Sequence, residues 1–246
     1  MHTKFVKKTV NCLVGISLAA SLSACMHDDD DDDNDEHMQS MNYQVEVHNL
    51  TAGQPLTPLA AILHKPGYAP WMLGASASVG LETIAESGDG TTLISEAESN
   101  MNYIISMTSS NGPFLPGSSE SITLTSESSD DLHLSLVTML ANTNDAFTGI
   151  SNLNLEDLEE GEKVSVYLKA YDAGTEKNTE SMGTLPGPVD NGEGFNSTRD
   201  EFASGEDYVS VHRGAVTVDD DLSSSVLNET HRWNGPVAKL VVTRLQ

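Results

Sequence analysis

Cysteine is almost absent: the 246 residues hold 2, Cys12 and Cys25. Both precede the segment that reads as folded. No disulfide can staple that segment, so its stability must come from packing and perhaps a bound metal. A cysteine nucleophile is excluded on the same ground. Aromatic residues are scarce, at 5%. A chain this poor in them and rich in Ser, Thr, Gly, Asn and Asp suits a loop-rich β protein better than a helical one. Positive charge is also short, with 12 Lys+Arg against 37 Asp+Glu and a formal net charge of -25. That balance repels a phosphate backbone and anionic lipid, which excludes nucleic acid and simple membrane adsorption. It favours solubility and is compatible with cation binding.

Catalytic signatures are lacking as well. Of 8 His, none forms HExxH or a pair at metal-ligand spacing. His48 and His133 fall within strand-like runs and read as surface or core residues. The stretch GASAS, residues 74–78, has Ser76 where a nucleophile elbow would place its serine, but Ser78 replaces the second glycine and no buried strand precedes it. No glycine-rich phosphate loop followed by lysine occurs. A nucleophile, a base and a group to orient them cannot be assembled, so the chain is not expected to be an enzyme.

What is present begins with an export signal. Lys4, Lys7 and Lys8 precede the apolar run of residues 10–24, which is too short and too rich in small residues for a good membrane span. The run ends in Leu22-Ser23-Ala24-Cys25, which resembles a bacterial lipobox. The expectation is a signal peptide over 1–24, cleavage before Cys25 and acylation of that cysteine, which would anchor the protein to a membrane. Met26 rather than Asp follows, which directs the expectation to the outer membrane of the cell envelope. Residues 25–41 carry eight acids between Asp28 and Glu36. Self-repulsion should keep them extended as a tether, in preference to a calcium-binding tail.

The folded domain is expected over 42–246. Residues 43–50 alternate, with Tyr43, Val45 and Val47 on one face. Further strands are read at 58–67, 102–108, 121–126, 132–140, 164–171, 208–212 and 237–245, and a helix at 79–90 with Gly88 as its C-cap. Many short strands, one or two short helices and long polar loops imply an all-β fold, an antiparallel β-sandwich. Two acids leave the 164–171 strand on a tight turn, Asp172 and Glu176, with Gly174 between them. Asp145 follows the 132–140 strand. If the two strands ended side by side, three carboxylates would converge and repel unless a cation sat among them. Ca²⁺ takes oxygen ligands of this kind. On spacing alone the favoured reading is an ordinary turn, since Asp and Gly are common there.

Four stretches carry a family likeness: PWMLGASASVGLETIAESGD (70–89), LSLVTMLANTNDAFTGISNLNL (134–155), YDAGTE (171–176) and GPVAKLVVTRL (235–245). In these the chain resembles the spondin N-terminal domain of F-spondin-like matrix proteins and bacterial lipoproteins. The resemblance implies a C2-like β-sandwich with a calcium ion at one end, and it carries the ligand positions to Asp145, Asp172 and Glu176. Glu176 stands where eukaryotic members have Asp, which lengthens that arm, and their disulfide cysteines are missing. It also implies a calcium-binding envelope lipoprotein for adhesion, contacting extracellular matrix, a glycan or a surface protein. The alternative is a structural or accessory lipoprotein with no ligand beyond calcium.

Overall fold

The computed structural model describes residues 40–192 and 207–245. The expected signal peptide, Cys25 and nearly all of the acidic segment lie outside the described residues. Strand β1 (Met41–Asn49) buries Tyr43, Val45, Val47 and Asn49 and turns the intervening residues outward, as its period of two requires. It is central in a four-stranded antiparallel sheet. There it pairs with β4 (Ser119–Ser126) on one side and β10 (Ala238–Arg244) on the other, and β7 (Lys163–Leu168) follows at the edge. The second sheet has six strands in the order β3 (Ile104–Ser109), β2 (Ala60–His64), β5 (His133–Met139), β6 (Ala146–Asn154), β8 (Ala170–Asp172) and β9 (Ser210–Val211). All registers are antiparallel, so the expected all-β sandwich is what forms.

The main core lies between the sheets and joins Tyr43, Val45, Val47, Leu240 and Val242 to Ala61, Leu63, Leu134 and Leu136. Strand β2 is buried along its whole length because its other face is covered too. Helices α1 (Val79–Ser87) and α2 (Thr91–Glu98) pack Leu81, Ile84, Ala85 and Leu93 over Ala60, Val137 and Phe147. Helix α1 begins with the Ser78 hydroxyl accepting from Leu81 N–H and ends at Gly88 in the left-handed conformation, φ 74°, which costs glycine nothing. One or two short helices were expected, but only the first was placed in the sequence. Glu96 of α2 reaches back to accept from Gly80 N–H at 2.8 Å and from the Ser78 hydroxyl at 2.7 Å, so it completes the cap of the first.

Two departures from the sequence reading shape the site. Residues 146–154 are a strand, β6, lying between β5 and β8. The expected strand 164–171 is two strands: β7 pairs with β10 in one sheet and β8 with β6 in the other, and the chain changes sheet at Lys169. The ends of β5 and β8 are therefore not side by side. β6 separates them, and Asp145 reaches Asp172 because it opens β6, where Ala146 is opposite Asp172.

At the other end of the six-stranded sheet the β5–β6 register shifts between Leu134 and Leu136. Buried Ser135 fills the gap: its hydroxyl accepts from Asn152 N–H at 3.1 Å and donates to His64 Nε2 at 2.8 Å. His64 Nδ1–H in turn donates to Lys65 O at 2.9 Å, and burial pushes the imidazole's pKa down, which favours the neutral ring with both of its nitrogens used. Ser135→Ala is expected to cost about 1–3 kcal/mol in urea unfolding, because it strands the His64 Nε2 acceptor in the core. A loss under about 0.5 kcal/mol, typical of a surface change, would contradict this pinning role.

Candidate metal centre

The turn joining β5 to β6, residues 140–145, is buried throughout. It closes on itself: Leu140 N–H donates to Ala146 O at 2.8 Å, and the Thr143 hydroxyl donates to Leu140 O at 2.6 Å and accepts from Ala146 N–H at 3.1 Å. The remaining polar side chains serve the long loop that follows β8. Asp145 Oδ2 accepts from the N–H groups of Thr175 (2.8 Å) and Glu176 (3.1 Å). Asn144 Oδ1 accepts from those of Thr179 (3.2 Å) and Glu180 (3.1 Å). Asn142 Oδ1 accepts from Val189 N–H at 3.1 Å. The loop has little strand pairing of its own, and the turn satisfies it side chain by side chain.

Asp172, the last residue of β8, accepts from Gly174 N–H at 2.8 Å on Oδ1 and from Asn178 Nδ2 at 2.7 Å on Oδ2. Gly174 is held at φ 76°, and a Cβ there would run into the backbone of Tyr208, so no other residue fits without displacing that strand entry. Asn178 Oδ1 faces His212 Nε2 at 2.9 Å, while His212 Nδ1 accepts from Gly214 N–H at 3.0 Å. The imidazole is thus protonated on Nε2, and an Asp172–Asn178–His212 chain lines a cleft of 420 Å³.

Of the three acids singled out in the sequence, the structure sets the Asp145 and Asp172 carboxyls beside each other, while Glu176 is joined to Asp145 through its backbone N–H. Asp145 is 0% exposed, Glu176 5% and Asp172 9%. Asp145 and Asp172 are electrostatic neighbours: burial, and then the Asp172 charge, push the Asp145 carboxyl up to about 7. Its Oδ1 is buried with no hydrogen-bond partner. Glu176 joins through its N–H on Asp145. Among the described residues no group of three or more His, Cys, Asp or Glu side chains is gathered so as to hold a metal ion, so any ion here would draw on loop carbonyls besides the acid pair. An ionised, desolvated carboxylate with one oxygen unpartnered demands a proton or a cation. In that respect the donor set fits a hard, oxygen-seeking ion.

Sequence reasoning missed Asn144, His212 and Glu180. Asn144 sits beside a residue that was singled out; a run of amide and acid side chains inside an otherwise apolar segment was the available signal. Glu180 had none. It is 2% exposed with φ 48°, its Oε1 accepts from Val216 N–H at 3.3 Å, and Oε2 is buried without a partner. Burial pushes its carboxyl up to about 7. Ser76 donates to Asp207 O on the surface, and His48 lies 3.5 Å from Glu46. His133 stacks on His64 at 6.0 Å.

The Spondin_N family model matches residues 48–185, more than half of the chain, and the match contains Asp145, Asp172, Glu176 and Glu180. No curated protein matches the chain.

Glu180 gives this region a pH signature. A folded-state pKa raised from 4.5 to about 7 means stability present at low pH that is lost as pH rises through that window. Glu180→Gln cannot ionise. Its melting temperature should exceed that of the parent protein at pH above about 7 and converge with it near pH 4.5. A parallel pair of curves would contradict the assignment.

Proposed function

Because the chain belongs to the Spondin_N family, whose domains are non-enzymatic, we propose that it is a calcium-binding module of the cell envelope. Asp145 and Asp172 would hold one Ca²⁺ together with loop carbonyls, and the Glu176 carboxylate, which is not gathered with the other two among the described residues, would turn in as the third acid. The observation that carries this reading is the unpartnered Asp145 Oδ1, buried beside the Asp172 carboxylate. The ion would supply the positive charge that the acid pair lacks, and so fix the loop 173–180 on the buried turn. Adhesion to matrix, glycan or a surface protein is the role proposed for the module. The many hydrogen bonds from the turn to this loop also favour a second reading, in which calcium only rigidifies an accessory lipoprotein with no other ligand.

Calcium should stabilise the protein by RT ln(1 + [Ca]/Kd), about 2.7 kcal/mol at roughly a hundredfold excess over Kd. Chelator should lower the melting temperature, Mg²⁺ should substitute poorly, and Asp172→Ala should abolish the response. A melting temperature indifferent to calcium and chelator alike would reduce the segment to a turn.

The anchor is proposed at Cys25, after the lipobox-like Leu22-Ser23-Ala24-Cys25, with the protein held at the outer membrane. Mass spectrometry of the mature N-terminus should find lipid on Cys25, and Cys25→Ala should release the protein or block its maturation. A soluble, unmodified mature protein that begins elsewhere would overturn this.

A further inference from the structure

Besides the acidic centre, the structure contains a cleft of opposite character. It has a volume of 270 Å³ and is walled by Lys169 and Ala170 at the sheet change, by Val211 at the end of β9 with His212 and Arg213 after it, and by the segment 233–236 that leads into β10. The chain has only 12 Lys+Arg and a net charge of -25, yet two of those cations meet here. Arg232 is paired with Asp220 at 3.0 Å, whereas among the described residues neither Lys169 nor Arg213 is spent on an ion pair. Both are exposed. Beside them stands Trp233, one of 2 tryptophans. Its ring is half-buried and leans on His212 with centroids 5.1 Å apart. His212 is fixed through both nitrogens, so the aromatic wall has a rigid backing. Exposed Asn234 adds an amide.

This combination has a specific chemical fit. A flat indole face accepts the C–H face of a pyranose ring. Guanidinium and ammonium groups accept a carboxylate or sulfate, and an amide takes hydroxyls. The surrounding negative field works against a long polyanion, whose further charges would leave the cleft and be repelled. It tolerates one anionic group docked between the two cations.

We propose that the cleft formed by Lys169, Arg213 and Trp233 binds the terminal residue of an anionic saccharide, with its ring on Trp233 and its carboxylate or sulfate on Lys169 and Arg213. This rests on the reading of the chain as a binding module and names the ligand class. It uses none of the proposed calcium ligands.

The test is intrinsic fluorescence of the full chain in calcium. Trp71 is 8% exposed and lines a separate cleft, so a ligand-dependent change reports Trp233 where it is lost in Trp233→Phe. The probes are an oligosaccharide ending in a single uronate, the same oligosaccharide ending in a single sulfate, its neutral parent and a polyglutamate peptide. The first two separate a uronate from a sulfated ligand. The expected result is a saturable change with at least one of them and none with the neutral sugar or the peptide. Affinity should fall about tenfold or more between roughly 0.05 and 0.5 M salt, and about tenfold or more in Lys169→Ala and in Arg213→Ala at unchanged melting temperature. No saturable change with either acidic sugar would overturn the inference, as would equal binding of the neutral sugar or peptide, or undiminished binding by the double variant. Matrix-protein binding and a calcium-dependent melting temperature that survive such a failure would leave the binding-module reading standing.

Discussion

Buried backbone amides that leave a sheet must still find acceptors, and in this protein a single turn provides them. Residues 142, 144 and 145 present three side-chain acceptors that take the N–H groups of Val189, of Thr179 and Glu180, and of Thr175 and Glu176. The turn can do this because it is itself closed by Thr143 and fixed from beneath, with Gln54 Oε1 accepting from Asn142 N–H at 3.1 Å. Without these acceptors the loop after β8 would have to carry its amides to water, and the cleft lined by Asp172, Asn178 and His212 would lose one wall.

The same arrangement creates the electrostatic problem at its centre. Asp145 satisfies two amides with one oxygen and leaves the other buried and bare. Asn144 does the equivalent work without a charge, so hydrogen bonding alone does not explain an acid at 145. The neighbouring Asp172 raises the cost further. A site that keeps a second carboxylate where an amide would satisfy the loop is arranged for a positive partner, which is the physical ground for the calcium reading.

Much of the fold was legible in the sequence. Tyr43, Val45 and Val47 alternate cleanly, and Gly88 stops α1 where a left-handed cap was expected. The failures have physical causes. β6 escaped because its apolar residues are few and Gly149 interrupts them; that glycine is needed because a side chain there would collide with the backbone of Leu136. The sheet change at Lys169 escaped because residues 164–171 keep one alternation through it, and period says nothing about which sheet a strand joins. Helix α2 is eight residues, Ser, Thr and Glu around Leu93, Ile94 and Ala97, too short to show a face. At the site, Asp145 and Asp172 were read as neighbours for the wrong geometric reason, through adjacent strand ends, whereas Asp145 reaches Asp172 by opening β6. Glu180 lies in a polar segment where nothing distinguishes a buried residue from a solvated one, and His212 falls on the face of the 208–212 run opposite Val209 and Val211, which alternation reads as outward.

The most direct measurement is the ¹³C NMR titration of the Asp145 carboxyl, with and without calcium. In chelator the account predicts an apparent midpoint near the value of about 7 set by burial and Asp172. With calcium in excess it predicts a carboxylate that stays ionised, its resonance still from about pH 5 to about pH 8. An Asp145 that titrates in the ordinary carboxylate range, near about 4, with a resonance untouched by calcium, would contradict the account.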